Sequence, residues 1–107
     1  MAKMVLKKMD AISPSLTLQK KRMKDESETQ FERGLHEESK NGCTHEALEY
    51  YKRAVQYDGQ HYPAIFNLAS CYEKQGKLGQ TKRWLLRLLE VQANFAPAYT
   101  ALTRLYM

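Results

Sequence analysis

Apolar residues recur along most of this chain at the three- and four-residue spacing of helices that bury one face, in blocks separated by turn signals. The first block carries Phe31 and Leu35, with Glu38 on the same side, and predicts a helix from about Ser27 to Lys40. Gly34 in its middle reads as a point where a neighbouring helix comes close, because glycine otherwise weakens a helix interior. Ser27 and Gln30 have capping-box spacing, and Asp25, Glu26 and Glu28 suit a helix start. Asn41-Gly42 is a stop signal, since both residues tolerate the left-handed conformation that closes helices. Thr44 then caps a second helix whose stripe is Ala47, Leu48, Tyr51, Ala54 and Val55, ending near Tyr57 before Asp58-Gly59.

A third helix begins near His61, with Pro63 in its first turn where a missing donor does no harm. It buries Ala64, Ile65, Leu68, Ala69 and Tyr72 and ends at Gly76. The fourth, about Lys77 to Gln92, carries Leu78, Trp84, Leu85, Leu88 and Leu89 over more than one face and so needs cover on more than one side. A fifth, from about Phe95 to Met107, puts Ala98, Tyr99, Leu102, Leu105 and Tyr106 at helical spacing and supplies part of that cover.

These blocks repeat. A shift of 34 residues aligns Phe31, Ile65 and Tyr99, then Gly34, Leu68 and Leu102, and in the second helices Ala47 with Thr81, Tyr51 with Leu85, and Ala54 with Leu88. Such a period with two helical halves marks a stacked array. The motif Ala64-Ile65-Phe66-Asn67-Leu68-Ala69 leading to Tyr72 resembles the first helix of a tetratricopeptide repeat, and Ala47-Leu48-Glu49-Tyr50-Tyr51-Lys52-Arg53-Ala54 looks like that family's second helix. The chain departs from the pattern at Phe31 and Ile65, where tryptophan is common, at Thr81 and Leu88 in place of small alanines, and at Glu38 in the usual tyrosine place. The resemblance implies an all-α, right-handed solenoid of antiparallel helix pairs, about two and a half units long. Residues 27–60 form the first unit, 61–94 the second and 95–107 the first helix of a third, preceded by a basic N-terminal arm over 1–26.

The family's A helices line a concave groove that receives a peptide or a partner helix. Carried over by position, the groove residues are Glu32, Arg33, His36, Ser39 and Lys40, then Phe66, Asn67, Ser70, Glu73 and Lys74, with Thr100, Ala101 and Arg104 continuing the row. Phe66 is its one large apolar side chain, either an anchor for a ligand or a packing residue against the next helix. A subgroup of the family grips terminal carboxylates with Lys, Asn, Asn, Lys and Arg. Here only Asn67 matches, while Glu32, His36, Pro97 and Ala101 hold four of the other places. The resemblance therefore implies a groove that takes its partner by another route.

Ahead of the repeats, Met4, Val5, Met9 and Ile12 are spaced for a short amphipathic helix, and Ile12-Ser13-Pro14-Ser15 reads as a boundary. Entry into the first repeat is either a helix starting near Ser27 or one long helix from about Ser15. The apolar core of Met4-Val5-Leu6 is too short for a secretory signal, and a mitochondrial transit peptide fits poorly with Asp10 and a Lys-rich, Ser-poor stretch.

Charge changes the picture at this end only. The chain's net +5 divides into +4 for Met1–Glu26 and +1 for the rest, with Lys20, Lys21, Arg22 and Lys24 clustered. A basic arm suits an acidic protein, nucleic acid or a membrane surface. No aromatics interleave the cluster as base-stacking would require, and no second membrane anchor accompanies it. No run of about 18 apolar residues exists to span a bilayer.

Cys43 and Cys71 form no CxxC motif and, in a Lys-rich chain read as intracellular and cytoplasmic, are expected as free thiols. His36, His45 and His61 lack the i, i+4 pairing or carboxylate partner of a metal site, Glu37 and Glu38 point about 100 degrees apart on a helix, and no phosphate-binding glycine loop occurs. The expectation is thus a protein without catalytic residues, metal or cofactor. It docks another protein, as a peptide or helix in the groove or as a neighbouring subunit on an open stack end. The alternative is a nucleic-acid-associated subunit whose arm contacts phosphates. Leu102, Leu105, Tyr106 and Met107 would be left with little to cover them, so the chain reads as a fragment, a shortened chain or a small subunit of an assembly, unless the N-terminal arm folds back onto that end.

Overall fold

The computed structural model describes the backbone of residues 2–106 and the side chains of residues 16–106. Five helices follow one another: α1 (Ala2–Asn41), α2 (His45–Tyr57), α3 (Tyr62–Lys74), α4 (Leu78–Val91) and α5 (Ala96–Tyr106). Each packs on its neighbours in chain order, so α1 with α2 and α3 with α4 form two antiparallel pairs and α5 begins a third. The fold is an all-α helical repeat.

The turn chemistry places the helix ends where the spacing predicts them. Gly42 and Gly76 both have φ of 78°, the left-handed conformation that glycine adopts without strain. At Gly76 the Lys77 N–H donates to the Tyr72 carbonyl and the Gly76 N–H to Glu73, each at 2.9 Å, which is a Schellman closure. At Gly42 a single bond to Glu38, 2.8 Å, closes α1. The Thr44 hydroxyl accepts from the Ala47 N–H at 3.2 Å and donates to Glu37 at 3.1 Å, tying the start of α2 to the end of α1.

Three expectations fail at the first helix. α1 runs unbroken for 40 residues through Pro14, where a boundary is predicted. Proline removes its own donor and hinders one turn, and the helix-favouring residues on both sides continue past it. Ser27 and Gln30 therefore do not form a capping box; both are buried mid-helix, and Ser27 Oγ donates across to the Ala54 carbonyl at 2.6 Å. The predicted stripe through Leu35 is also displaced. The buried line runs Ser27, Gln30, Gly34, and Leu35 is 41% exposed. Gly34 is the cause: a Cβ there would lie 2.5 Å from Tyr51 Cε1, so the α2 aromatic fills the space that a side chain would take.

The core forms two clusters joined by Val55 and Trp84. One holds Ala47, Leu48, Tyr51, Leu68, Cys71 and Tyr72, between the first pair and the second. The other holds Ile65, Ala69, Leu85, Leu88, Ala98 and Ala101, where α5 docks. Leu88, large where the pattern has alanine, shares this cluster with the small Ala98 and Ala101, so volume is exchanged between helices. Thr81, the other departure, donates its hydroxyl to the Lys77 carbonyl at 2.9 Å and so is buried without an orphaned polar atom.

Candidate functional site

Successive A helices run parallel, so α1, α3 and α5 present side chains to one another at matching heights. Between α1 and α3 the central group is Glu38. Tyr51 Oη donates to its Oε1 at 2.7 Å, and Lys74 Nζ donates to Oε2 at 3.4 Å. Cys71 Sγ lies 3.7 Å from Oε1. Burial pushes the Tyr51 phenol far above its ordinary range, the Glu38 carboxylate adds to this, and the Asn67 side chain on the same hydroxyl works in the other direction.

The cysteines are a correction. Cys43, in the turn after α1, and Cys71, inside α3, are joined as a disulfide with Cα atoms 5.1 Å apart, not left as free thiols. Position 71 stands one repeat beyond position 37, level with the end of α1, and the turn at Cys43 lies just past that end. Gln75 reinforces the seam by donating its side-chain amide to the Cys43 carbonyl at 2.9 Å.

At the other end of the seam His61 has the carboxylate partner that the sequence does not reveal. Its Nε2 is 2.7 Å from Glu28, and its Nδ1 accepts from the Ala64 N–H at 3.1 Å, capping α3. A ring with its proton on Nε2 satisfies both bonds while neutral. Phe31 packs on it at 4.8 Å between centroids.

The seam between α3 and α5 repeats the scheme. Arg104 donates to Glu73 at 3.0 Å, and Phe66 packs edge-on against Phe95 at 5.3 Å. Phe66 is half-buried against the second cluster. Ser70 is half-buried and Lys40 exposed. Ala101, expected in the groove, is buried, and Tyr99, expected in the buried stripe, is exposed. The register on α5 is set by Ala98 and Ala101 because Leu88 occupies the space they leave. Three of the α1 groove positions, Glu32, Arg33 and His36, line with Thr29, Glu37 and Tyr50 a shallow depression of about 470 Å³ where α1 meets α2. Lys20, Lys21, Arg22 and Lys24 are all exposed on α1 ahead of the first pair.

A family model described as tetratricopeptide repeat matches residues 27–105, most of the chain. The chain belongs to the tetratricopeptide repeat family. Repeats of this kind generally mediate protein–protein interactions and are typically non-enzymatic. A search of curated proteins returned no match.

Within a tetratricopeptide stack each A helix is covered on its outer side by its own B helix, as α1 is by α2 and α3 by α4. Among the described residues no helix plays that part for α5. Leu86, Tyr99 and Tyr106 are 51%, 51% and 68% exposed, and Leu78 at the start of α4 is also open. Polar contacts hold the aromatic rings in place without covering them. Tyr99 Oη donates to the Ala93 carbonyl at 2.7 Å, and Lys82 Nζ lies 4.2 Å from the Tyr106 ring centroid. Among the described residues no helix is long and apolar enough to cross a membrane.

Proposed function

We propose that this chain is a non-enzymatic docking module or scaffold subunit that binds a helix of another protein through the α4–α5 end of its stack. The observation that carries this reading is the exposure of Leu86, Tyr99 and Tyr106 on α4 and α5, with Tyr106 the most open of the large apolar side chains among the described residues. An aromatic and leucine row of this kind is what a protein-docking face presents. The concave groove is the secondary element. Lys74 and Glu73 are engaged with Glu38 and Arg104, and Asn67 faces Tyr51, so the groove offers a satisfied polar surface and few apolar anchors. In this reading Lys40 and Ser70 belong to the secondary polar groove, Glu32 and His36 line their own depression at the α1–α2 junction away from the docking end, and Phe66 contributes through the packing of α5. We place the protein inside the cell, in the cytoplasm, as a subunit of an assembly; in that compartment the Cys43–Cys71 pair would be held mainly as thiols.

A photoreactive phenylalanine analogue installed at Tyr106, and separately at Leu86, tests this in the native cell. The expected result is one shared crosslinked protein from both positions and none from Arg53, exposed on α2. Equal products from all three positions would contradict a docking face at this end.

The exposed cluster Lys20, Lys21, Arg22 and Lys24 supports the second reading, contact with nucleic-acid phosphates. Binding of a labelled single strand that weakens steeply with salt and vanishes in a quadruple alanine variant would favour it. Binding absent at low salt would remove it.

A further inference from the structure

We propose that, in the reduced chain, Glu38, Cys43 and Cys71 form a binding site for a zinc-class divalent cation. A carboxylate oxygen and the two sulfurs lie within 4.8 Å of one another. Ligands at about 2.1–2.3 Å around a tetrahedral ion stand about 3.4–3.8 Å apart, so small movements bring all three onto one centre. The movable member is Cys43, half-buried in a three-residue turn beside Gly42, whose surroundings are open. Cys71 is fully buried and fixed on α3.

The carboxylate is already oriented. Tyr51 Oη holds Oε1 at 2.7 Å and Lys74 Nζ holds Oε2 at 3.4 Å, the kind of outer contact that tunes metal ligands. Two thiolates and a carboxylate carry three negative charges against two on the ion, and the Lys74 ammonium offsets the remaining one. Two soft sulfurs with one oxygen suit zinc and exclude magnesium or calcium, which need oxygen ligands throughout. Glu38 and Cys43 are half-exposed, which leaves the fourth position to a water. The disulfide and the metal are mutually exclusive states of one sulfur pair. The site does not depend on the docking reading above.

Opening the site in vitro takes a phosphine reductant. The S–S bond breaks, the phosphine becomes its oxide with oxygen from water, and that water's two protons go to the sulfurs. Each thiol then releases its proton as the ion binds. Cobalt(II), a spectroscopic stand-in for zinc, is titrated into the reduced full chain with zinc as competitor. The expected result is one cobalt per chain, with thiolate-to-cobalt absorption and tetrahedral visible bands that one equivalent of zinc bleaches. Cys43→Ser should abolish the thiolate bands of that site, and Glu38→Gln should weaken binding about tenfold or more. Circular dichroism checks that both variants keep wild-type helicity, and the oxidised wild-type chain, which should bind none, is a control free of substitution. No bands in the reduced wild-type chain, one cobalt per two chains, or unchanged affinity in a helical Glu38→Gln would each overturn the site.

Discussion

Gly34, Tyr51 and Glu38 act as a unit, and each constrains the next. The Tyr51 ring occupies the space over Gly34 and delivers its hydroxyl to Glu38. Gly34→Ala should therefore cost about 1–3 kcal/mol, the usual penalty for overfilling a packed core, read from urea denaturation. Gly42→Ala meets nothing within 4 Å and is strained only by its φ of 78°, so about 1 kcal/mol is expected there and Gly42→Asn should be milder. Tyr51 also sets a pH dependence. Its folded-state affinity for the proton is raised, so its contribution is fully present below the unfolded tyrosine pKa of about 10 and is lost as pH rises above it. Stability should fall by up to about 1.4 kcal/mol per pH unit beyond that point for this group. Denaturation curves between pH 9 and 11 should be flatter in Tyr51→Phe than in wild type. The sequence shows Gly34 as a close approach because a mid-helix glycine needs a reason. It does not show that Tyr51 is the neighbour or that Glu38 is its acceptor, since both follow from how far α1 rotates on α2.

At the scale of elements, the four C-terminal helices are legible almost to the residue because their boundaries are written in local chemistry: Thr44 and His61 as caps, Gly42 and Gly76 as stops. α1 is not legible in this way. Its buried face carries Ser27, Gln30 and Gly34, so Ser27 and Gln30 look like a start signal when they are interior contacts to α2 and Glu26. The disulfide is hidden for another reason. A separation of 28 residues says nothing by itself, and only the parallel course of α1 and α3 brings the two sulfurs together. Closing a loop of that length stabilises by about 3.5 kcal/mol in the chain-entropy account. The exposed ion pairs beside it, such as Glu73 with Arg104, contribute under about 1 kcal/mol each. Reduction should thus lower the unfolding free energy by several times more than Arg104→Ala does, measured by guanidinium denaturation with and without a phosphine reductant.

The helices form a stack in which each is stabilised by the ones beside it. The 34-residue period makes this architecture legible in the sequence, together with the excess of apolar residues on α4 and α5. What the period does not give is the register of α5, where Ala98 and Ala101 turn inward and Tyr99 and Tyr106 outward. Those outward rings, with Leu86, are the basis for reading the α4–α5 end as a docking face. Without a partner, two such ends should cover one another. Light scattering on the isolated chain across a hundredfold concentration range, with circular dichroism on the same samples, tests this most directly. A helical protein is expected whose mass rises above the 12.5 kDa of one chain as concentration increases. A Leu86→Lys, Tyr106→Lys double variant should stay at one chain with the same helicity. A wild-type chain that remains monomeric throughout, or a helical double variant that associates as wild type does, would contradict the docking reading.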